Sequence, residues 1–294
     1  MRKLIGVLGV LLVAMLPVVA VAQATPPATQ ADSVTEVRLR DGSVVVGRLE
    51  VESETLVVIV TAAGTRVEIP RAQIAGMRRV VPRAGGEVWP DDNNVTRLFF
   101  TSTGRPLPKG EGYVSSYWLF FPFVGYGITD RITLAGGTPI IPGGIGKVFY
   151  LAPKIALYDS ERLSFSAGTL SMFSTDYFNE GSLGIVYGVG TYGSRDNALS
   201  FGAGWFYADV EDEIATSNEP VFMLGGERRI SRRVKLITEN WFAVNPGVTG
   251  LMSGGVRFIG DRLSADFALG GLTGTEGACC LPMLNFVWSF GGGR

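Results

Sequence analysis

Most of the chain alternates between apolar and polar residues in runs of strand length. The last run, Pro282 to Phe290, carries apolar residues at every second position: Leu284, Phe286, Trp288 and Phe290. The intervening residues are Met283, Asn285, Val287 and Ser289. Because successive side chains of a strand point to opposite faces, this run predicts a strand with one apolar, aromatic face.

The runs after residue 95 are separated by turns of two lengths. Short turns lie at 129–131, 159–161, 194–197, 231–232 and 260–261. Longer ones lie at 104–110, 140–146, 174–180, 210–218, 245–248 and 274–281. Strictly alternating short and long turns are typical of transmembrane barrels, with short periplasmic turns and longer extracellular loops. The sequence therefore predicts an antiparallel barrel of about twelve strands that starts near Thr96 and has both ends in the periplasm.

We assign the apolar face of each run to lipid and the opposite face to the lumen. The predicted lipid face includes Leu163, Phe165, Ala167, Leu183, Ile185, Tyr187, Val189, Leu199, Phe201, Ala203, Trp205, Tyr207, Leu263, Ala265, Phe267 and Leu269. Small residues expected in the lumen are Ser164, Ser166, Gly168, Gly184, Gly188, Gly190, Ser200, Gly202 and Gly204. Charged residues expected in the lumen are Lys154, Glu227, Arg229, Lys235, Glu239, Arg257 and Asp266. Pro153 conflicts with a strand paired on both sides, since proline cannot donate to the ladder.

Several stretches resemble bacterial porin-like outer-membrane β-barrel proteins. The final strand resembles their barrel-closing signature, here Phe286, Trp288 and Phe290 followed by Gly291-Gly292-Gly293-Arg294. The segment Tyr126–Gly137 resembles a strand–turn–strand unit of these proteins, and Arg97–Tyr113 resembles the sequence with which their barrels begin. The resemblance implies an outer-membrane location, with membrane lipid and the barrel-assembly machinery as partners. A soluble β-sandwich is the alternative, because alternation alone does not tell inside from outside.

The N-terminal part predicts three segments before the barrel. Residues 1–24 have a basic start, an apolar stretch and a small-x-small ending, which predicts a secretory signal. A polar linker, 25–33, is followed by a block of five short strands at 34–81 and a second linker at 82–94. The spacing of Leu39, Asp41-Gly42, Gly47 and Leu49 resembles the SH3/Sm-like small β-barrel fold. In the periplasm such a module would bind a partner or cell wall.

Composition excludes several functions. The 26 basic and 27 acidic residues become 24 and 27 when Arg2 and Lys3 leave with the signal, so the charge falls from −1 to −3, and no nucleic-acid footprint is expected. Histidine is absent, and no nucleophile–base pair stands out, so we expect no enzyme, cofactor or metal site. The adjacent Cys279 and Cys280 are interpreted as two loop thiols, with a strained disulfide or a soft-metal site as alternatives.

Three roles remain open for the barrel. A polar, mixed-charge constriction would make it a passage for small solutes, because charged rings set selectivity in pores. A closed network of paired charges would instead make it a non-conducting barrel that anchors its periplasmic module. A lipid-modifying outer-membrane enzyme is the third possibility, although such enzymes generally rely on histidine.

Overall fold

The computed structural model describes residues 34–80, 88–142, 145–174, 181–210, 213–244, 250–273 and 280–291. The predicted signal, the first linker and most of the second linker lie outside these residues. The chain divides into two compact units, with the boundary between Val88 and Trp89. Each unit is described separately below.

The N-terminal unit is a five-stranded antiparallel sheet with strand order β4-β3-β2-β1-β5. Its strands are β1 (Val34–Leu39), β2 (Val44–Glu52), β3 (Leu56–Val60), β4 (Arg66–Pro70) and β5 (Ile74–Val80). Asp41 and Gly42 make the first turn, where Gly42 has φ +90° and the Asp41 carboxylate accepts the Ser43 N–H at 2.8 Å. Alternate apolar residues form a buried core of Val37, Val57, Ile59 and Ile69.

The second unit contains a closed antiparallel barrel of twelve wall strands. The wall strands are β6 (Gly112–Tyr117), β7 (Phe121–Gly127), β8 (Ile132–Gly137), β9 (Val148–Asp159), β10 (Leu163–Ser174), β11 (Ser182–Gly193), β12 (Asn197–Val210), β14 (Val221–Ser231), β15 (Val234–Ala243), β16 (Leu251–Ile259), β17 (Leu263–Leu272) and β18 (Leu281–Phe290). A short strand, β13 (Glu213–Thr216), pairs only with β12. The last strand closes the barrel on the first, with Phe290 opposite Gly112.

The predicted strand number is confirmed, but the predicted first strand is wrong. The wall begins at Gly112 and not near Thr96, and residues 104–110 are not a loop between wall strands. The run expected to be one strand at 111–128 is a hairpin, because Trp118 and Leu119 take positive φ angles of 47° and 65° and reverse the chain. Gly112 and Phe290 lie at the end of the barrel that carries the short turns, which we call the short-turn end. The opposite end is the long-loop end.

The outer surface of the barrel is apolar. Large side chains on alternate wall positions are about half exposed, among them Leu157, Phe201, Trp205, Leu224, Phe258, Leu263, Phe267 and Trp288. The positions between them are buried and include lysine, arginine, glutamate and aspartate. An apolar exterior with a polar interior is the arrangement of a membrane-spanning barrel and the reverse of a soluble sandwich.

Among the described residues, no helix is both long and apolar enough to cross a membrane.

The predicted faces of β11 are wrong. Val189 is 3% exposed and packs in the barrel core, whereas Val186 on the opposite face is 54% exposed. Gly190 lies on the outer face, where Phe165 and Phe201 pack edge to face beside it with ring centroids 6.0 Å apart. Gly184, Gly188 and Gly190 therefore face outward, with aromatic rings beside Gly184 and Gly190, whereas Leu183, Ile185, Tyr187 and Val189 face inward.

The structure also bears on two local expectations, the place of Pro153 in a strand and the state of the cysteines. Pro153 stays in β9 and pairs with Leu134 of β8. On the other side, the described register passes from Gly168↔Lys154 to Ser171↔Leu151 and skips the proline. Cys280 is disulfide-bonded, so the interpretation of two free thiols is wrong; Cys279 lies outside the described residues.

Candidate functional site: a hairpin inside the barrel

The segment from Trp89 to Gly110 lies inside the barrel. We call it the lumen hairpin. Its tip contains three consecutive apolar residues, Leu98-Phe99-Phe100, and the backbone turns back there through a Leu98 N–H to Thr101 carbonyl bond of 2.9 Å. Leu98 and Phe99 are fully buried and pack on inward residues of the wall such as Ile237 and Met283. Since both limbs return to the short-turn end, the segment enters the lumen from that end as a loop and occupies the half of the lumen nearest to it.

Glu239 of β15 holds the tip of the lumen hairpin. Its Oε2 accepts the backbone N–H groups of Phe99 at 2.8 Å and Phe100 at 2.9 Å, and its Oε1 accepts the Thr101 hydroxyl at 2.6 Å. The Trp241 indole N–H donates to the same carboxylate at 2.9 Å. Hydrogen bonds to a buried carboxylate are among the stronger ones, so this single side chain fixes the tip.

Arg257 of β16 holds the outgoing limb. The guanidinium is fully buried and paired with Asp266 of β17. Its Nη1 also donates to the Asn94 carbonyl at 2.5 Å, and its Nη2 to the Leu98 carbonyl at 2.8 Å. Asn285 of β18 adds a bond from its amide nitrogen to the Phe99 carbonyl at 3.1 Å. These contacts supply donors to carbonyl groups that would otherwise be buried without partners.

A second charge network lies nearer the short-turn end. Lys235 Nζ lies 2.5 Å from Asp92 Oδ2 of the hairpin and 3.0 Å from Glu227 Oε2 of β14. Arg105, on the returning limb, pairs with Oε1 of the same Glu227. The side chains of Asp92, Lys235 and Glu227 are fully buried. Each charge thus has an opposite partner, as burial requires.

Lys154 and Arg229 complete the set of predicted charges. Lys154 Nζ donates to the Ser102 hydroxyl at 2.8 Å and to the Arg105 carbonyl at 2.8 Å. Arg229 pairs with Asp196 at 2.9 Å and donates to the carbonyl of Pro90 at 2.7 Å. All seven charged residues singled out in the sequence are therefore buried inside the barrel. Asp266 is linked to the hairpin through Arg257, and the other six each contact the hairpin directly.

The hairpin's own charged residues were missed by the sequence analysis. Arg97 donates to the Ser115 hydroxyl at 3.0 Å and to the Tyr117 hydroxyl, and its guanidinium carbon lies 3.7 Å from the centre of the Tyr113 ring. Arg105 and Asp92 were likewise placed in a loop and a linker. The run Leu98-Phe99-Phe100 gave no usable signal, because wall strand β12 also carries three consecutive apolar residues, Trp205-Phe206-Tyr207.

The closing-strand aromatics lie outside the site. Phe286 and Trp288 are 36% and 45% exposed on the outer surface, and Trp288 packs against Phe290 with ring centroids 5.7 Å apart.

Within the described ranges, no group of three or more histidine, cysteine, aspartate or glutamate residues could hold a metal ion. In the part of the chain that the structure describes, the hairpin is bonded to inward residues on nine of the twelve wall strands: β6, β8, β9, β10, β11, β14, β15, β16 and β18.

Comparisons with known proteins give structural neighbours only. No protein-family model and no curated protein sequence matches the chain. A KdgM porin is 5% identical, covers 62% of this chain and 98% of its own, and has a TM-score of 0.44. A NanC porin is 10% identical over 61% of this chain and 97% of its own, with a TM-score of 0.37.

An outer-membrane protein of Vibrio cholerae, OmpT, is also similar. It is 14% identical, covers 88% of this chain and 95% of its own, and has a TM-score of 0.34. Scores this low carry no argument about activity. The closed twelve-stranded barrel and its occupied lumen are properties of this chain's own strands and contacts.

Proposed function

We propose that this protein is a porin-like outer-membrane β-barrel whose passage is closed by its own lumen hairpin. Small solutes cross only when the hairpin leaves its bound position in the lumen. One observation carries the proposal: the wall charges that would line a polar passage bind the hairpin instead. Lys154, Lys235, Glu239 and Arg257 all contact it. Releasing the hairpin exposes those charges to water, which turns a sealed lumen into a polar one.

The location is part of the proposal. The apolar exterior supports insertion in a membrane, and residues 1–24 read as an export signal. The first wall strand begins and the last one finishes at the short-turn end, which faces the periplasm in outer-membrane barrels. The N-terminal unit, with its five-stranded sheet and the SH3/Sm-like spacing, then stays in the periplasm and binds a protein partner or cell wall there.

Single-channel conductance in planar bilayers tests the closure. Wild-type protein is expected to be almost silent. Glu239→Gln replaces the charged acceptor of the hairpin N–H groups and so weakens the hydrogen bonds that hold the tip. We expect it to raise the fraction of time that the channel is open. Gly104→Ala should act on the returning limb, since a Cβ there meets the Ser164 carbonyl and lies 3.0 Å from the Thr191 nitrogen.

Gly254→Ala is the matched control. A Cβ at Gly254 has Ile237 O as its nearest neighbour, at 4.0 Å, so this variant should remain as silent as the wild type. Heat-modifiable migration on gels confirms that each variant is a folded barrel. Wild-type protein with frequent large openings would contradict the closure.

A second candidate is a permanently closed barrel that anchors the N-terminal unit. The density of hairpin contacts on nearly all sides of the lumen favours it. Folded Glu239→Gln and Gly104→Ala barrels that both remain silent would support this role over the passage.

A further inference from the structure

The inward-facing residues of the wall change character from one end of the barrel to the other. On β15 they run from Lys235 through Ile237 and Glu239 to Trp241. On β17 they run from Asp266 through Ala268 and Gly270 to Leu272. On the described parts of the twelve wall strands, no charged residue faces inward beyond Glu239 toward the long-loop end. The polar half holds the lumen hairpin, and the half beyond it is apolar.

Six inward residues define the apolar half, which we call the long-loop chamber: Leu170, Ile185, Phe206, Leu251, Leu272 and Leu281. Their orientation follows from the register. Ile185 pairs with Leu170 on one side and Phe206 on the other, and Leu251 pairs with Leu272. Gly270 pairs with Leu281, and a Cβ on Gly270 would touch inward Met283 and Leu251 at 3.1 and 3.4 Å.

Four lining residues of the long-loop chamber are exposed although their side chains face inward. Leu170 is 37% exposed, Leu272 41%, Leu281 46% and Phe206 50%, although all four point into the barrel. The leucines and methionines of a packed core would be buried, as Met223 and Met283 are at the chamber floor, with 3% and 2% exposure. The exposed area therefore faces open lumen above the hairpin.

The polar groups at the chamber floor already have partners within the protein. The Trp241 indole donates to Glu239, and the Arg97 guanidinium donates to the Tyr117 hydroxyl. The Tyr150 hydroxyl donates to the Pro122 carbonyl at 2.5 Å. A ligand in the chamber is thus offered apolar surface and few polar partners.

We propose that the long-loop chamber is a binding site for an uncharged molecule with a single alkyl chain. Leucine and methionine side chains on a curved wall adapt to a flexible chain, and the absence of inward charge disfavours an ionic ligand. The closed ring of wall strands surrounds the site, which favours a slender chain over a folded partner. The proposal goes beyond passage or closure, because binding above the hairpin does not require the barrel to conduct.

Photolabelling tests the site in proteoliposomes. The probe is hexadecanol carrying a mid-chain diazirine, and adducts are mapped by mass spectrometry. Phe206 and Trp205 are neighbours on opposite faces of β12, about equally exposed at 50% and 48%. Labelling of Phe206 and Leu272 is expected to saturate with probe concentration and to be lost with excess unlabelled hexadecanol. Labelling of Trp205 should rise in proportion to probe in the lipid, without saturation.

Variants at Leu272 provide the matched pair. Leu272→Glu places a charge in the lining and is expected to abolish saturable labelling of Phe206, whereas Leu272→Met keeps it. Non-saturable labelling of Phe206 in wild-type protein overturns the site whether or not the variants fold. Adducts confined to outward residues also overturn it, as they would if the chain's own loops filled the chamber.

Discussion

Arg257 and Asp266 form a two-point ion pair in the lumen, with Nε 2.6 Å from Oδ1 and Nη2 2.9 Å from Oδ2. They lie opposite each other on the adjacent strands β16 and β17, and their side chains are 0% and 2% exposed. The same guanidinium donates to the Leu98 carbonyl of the lumen hairpin. The pair therefore joins two wall strands and the hairpin into one buried unit.

Replacing Asp266 with asparagine is expected to lower the free energy of unfolding by about 3–5 kcal/mol, because the buried guanidinium loses its two-point partner and keeps only Asp92, which lies 3.8 Å away and is shared with Lys235. Urea unfolding of the barrel in lipid vesicles, followed by tryptophan fluorescence, measures the change. The control is Asp261→Asn at the neighbouring turn. Its partner Arg233 lies 3.7 Å away and both side chains are more than half exposed, so a loss under about 1 kcal/mol is expected there. Equal losses for the two variants would contradict the buried role of Arg257.

The outer face of β11 offers a test on one strand. A Cβ on Gly190 would lie 2.5 Å from a Phe201 ring carbon and 2.6 Å from one of Phe165, whereas a Cβ on Gly188 meets no atom within 4 Å. Gly190→Ala is therefore expected to destabilise the barrel by about 1–3 kcal/mol through crowding of the two rings. Gly188→Ala should leave stability nearly unchanged. The same urea unfolding measurement compares the two variants. Equal stabilities would argue against the outward face assigned to Gly190.

The N-terminal unit has its own core, so its stability can be changed alone. Ile59 is fully buried against Val37, Val57 and Ile69. Ile59→Ala is expected to destabilise this unit by about 2–5 kcal/mol, since it leaves a cavity. Limited proteolysis should then cut within residues 34–80 at lower temperature, while heat-modifiable migration of the barrel stays that of the wild type. Loss of barrel migration in this variant would show that the two units fold as one.

Much of the architecture was predictable from alternation alone. A period of two, interrupted by turns of alternating length, predicted the antiparallel barrel and the outward aromatics of the last strand. The count of about twelve strands agrees because the strand wrongly expected near Thr96 offsets the hairpin wrongly expected to be one strand at 111–128. Asp41-Gly42 predicted the first hairpin of the N-terminal unit for a local reason, because glycine accepts the positive φ that the turn needs. These features depend on neighbours in sequence, so the sequence carries them.

The orientation of β11 was not predictable in this way. Large apolar residues are favoured both against lipid and against a buried hairpin, so Val189 fits either face. The decision came from Gly190, which makes room for rings on two neighbouring strands. Only the pairing of those strands reveals that requirement.

The lumen hairpin marks the division between what local pattern and tertiary structure decide. The sequence pointed to Lys154, Lys235, Glu239 and Arg257 as inward charges, because strand geometry sets which side chains share a face. It could not say that residues 89–110 enter the barrel and bind them. That outcome depends on pairing charges and carbonyl groups more than a hundred residues apart, such as Leu98 with Arg257. Burial makes such pairing obligatory, but only the closed barrel brings the partners together.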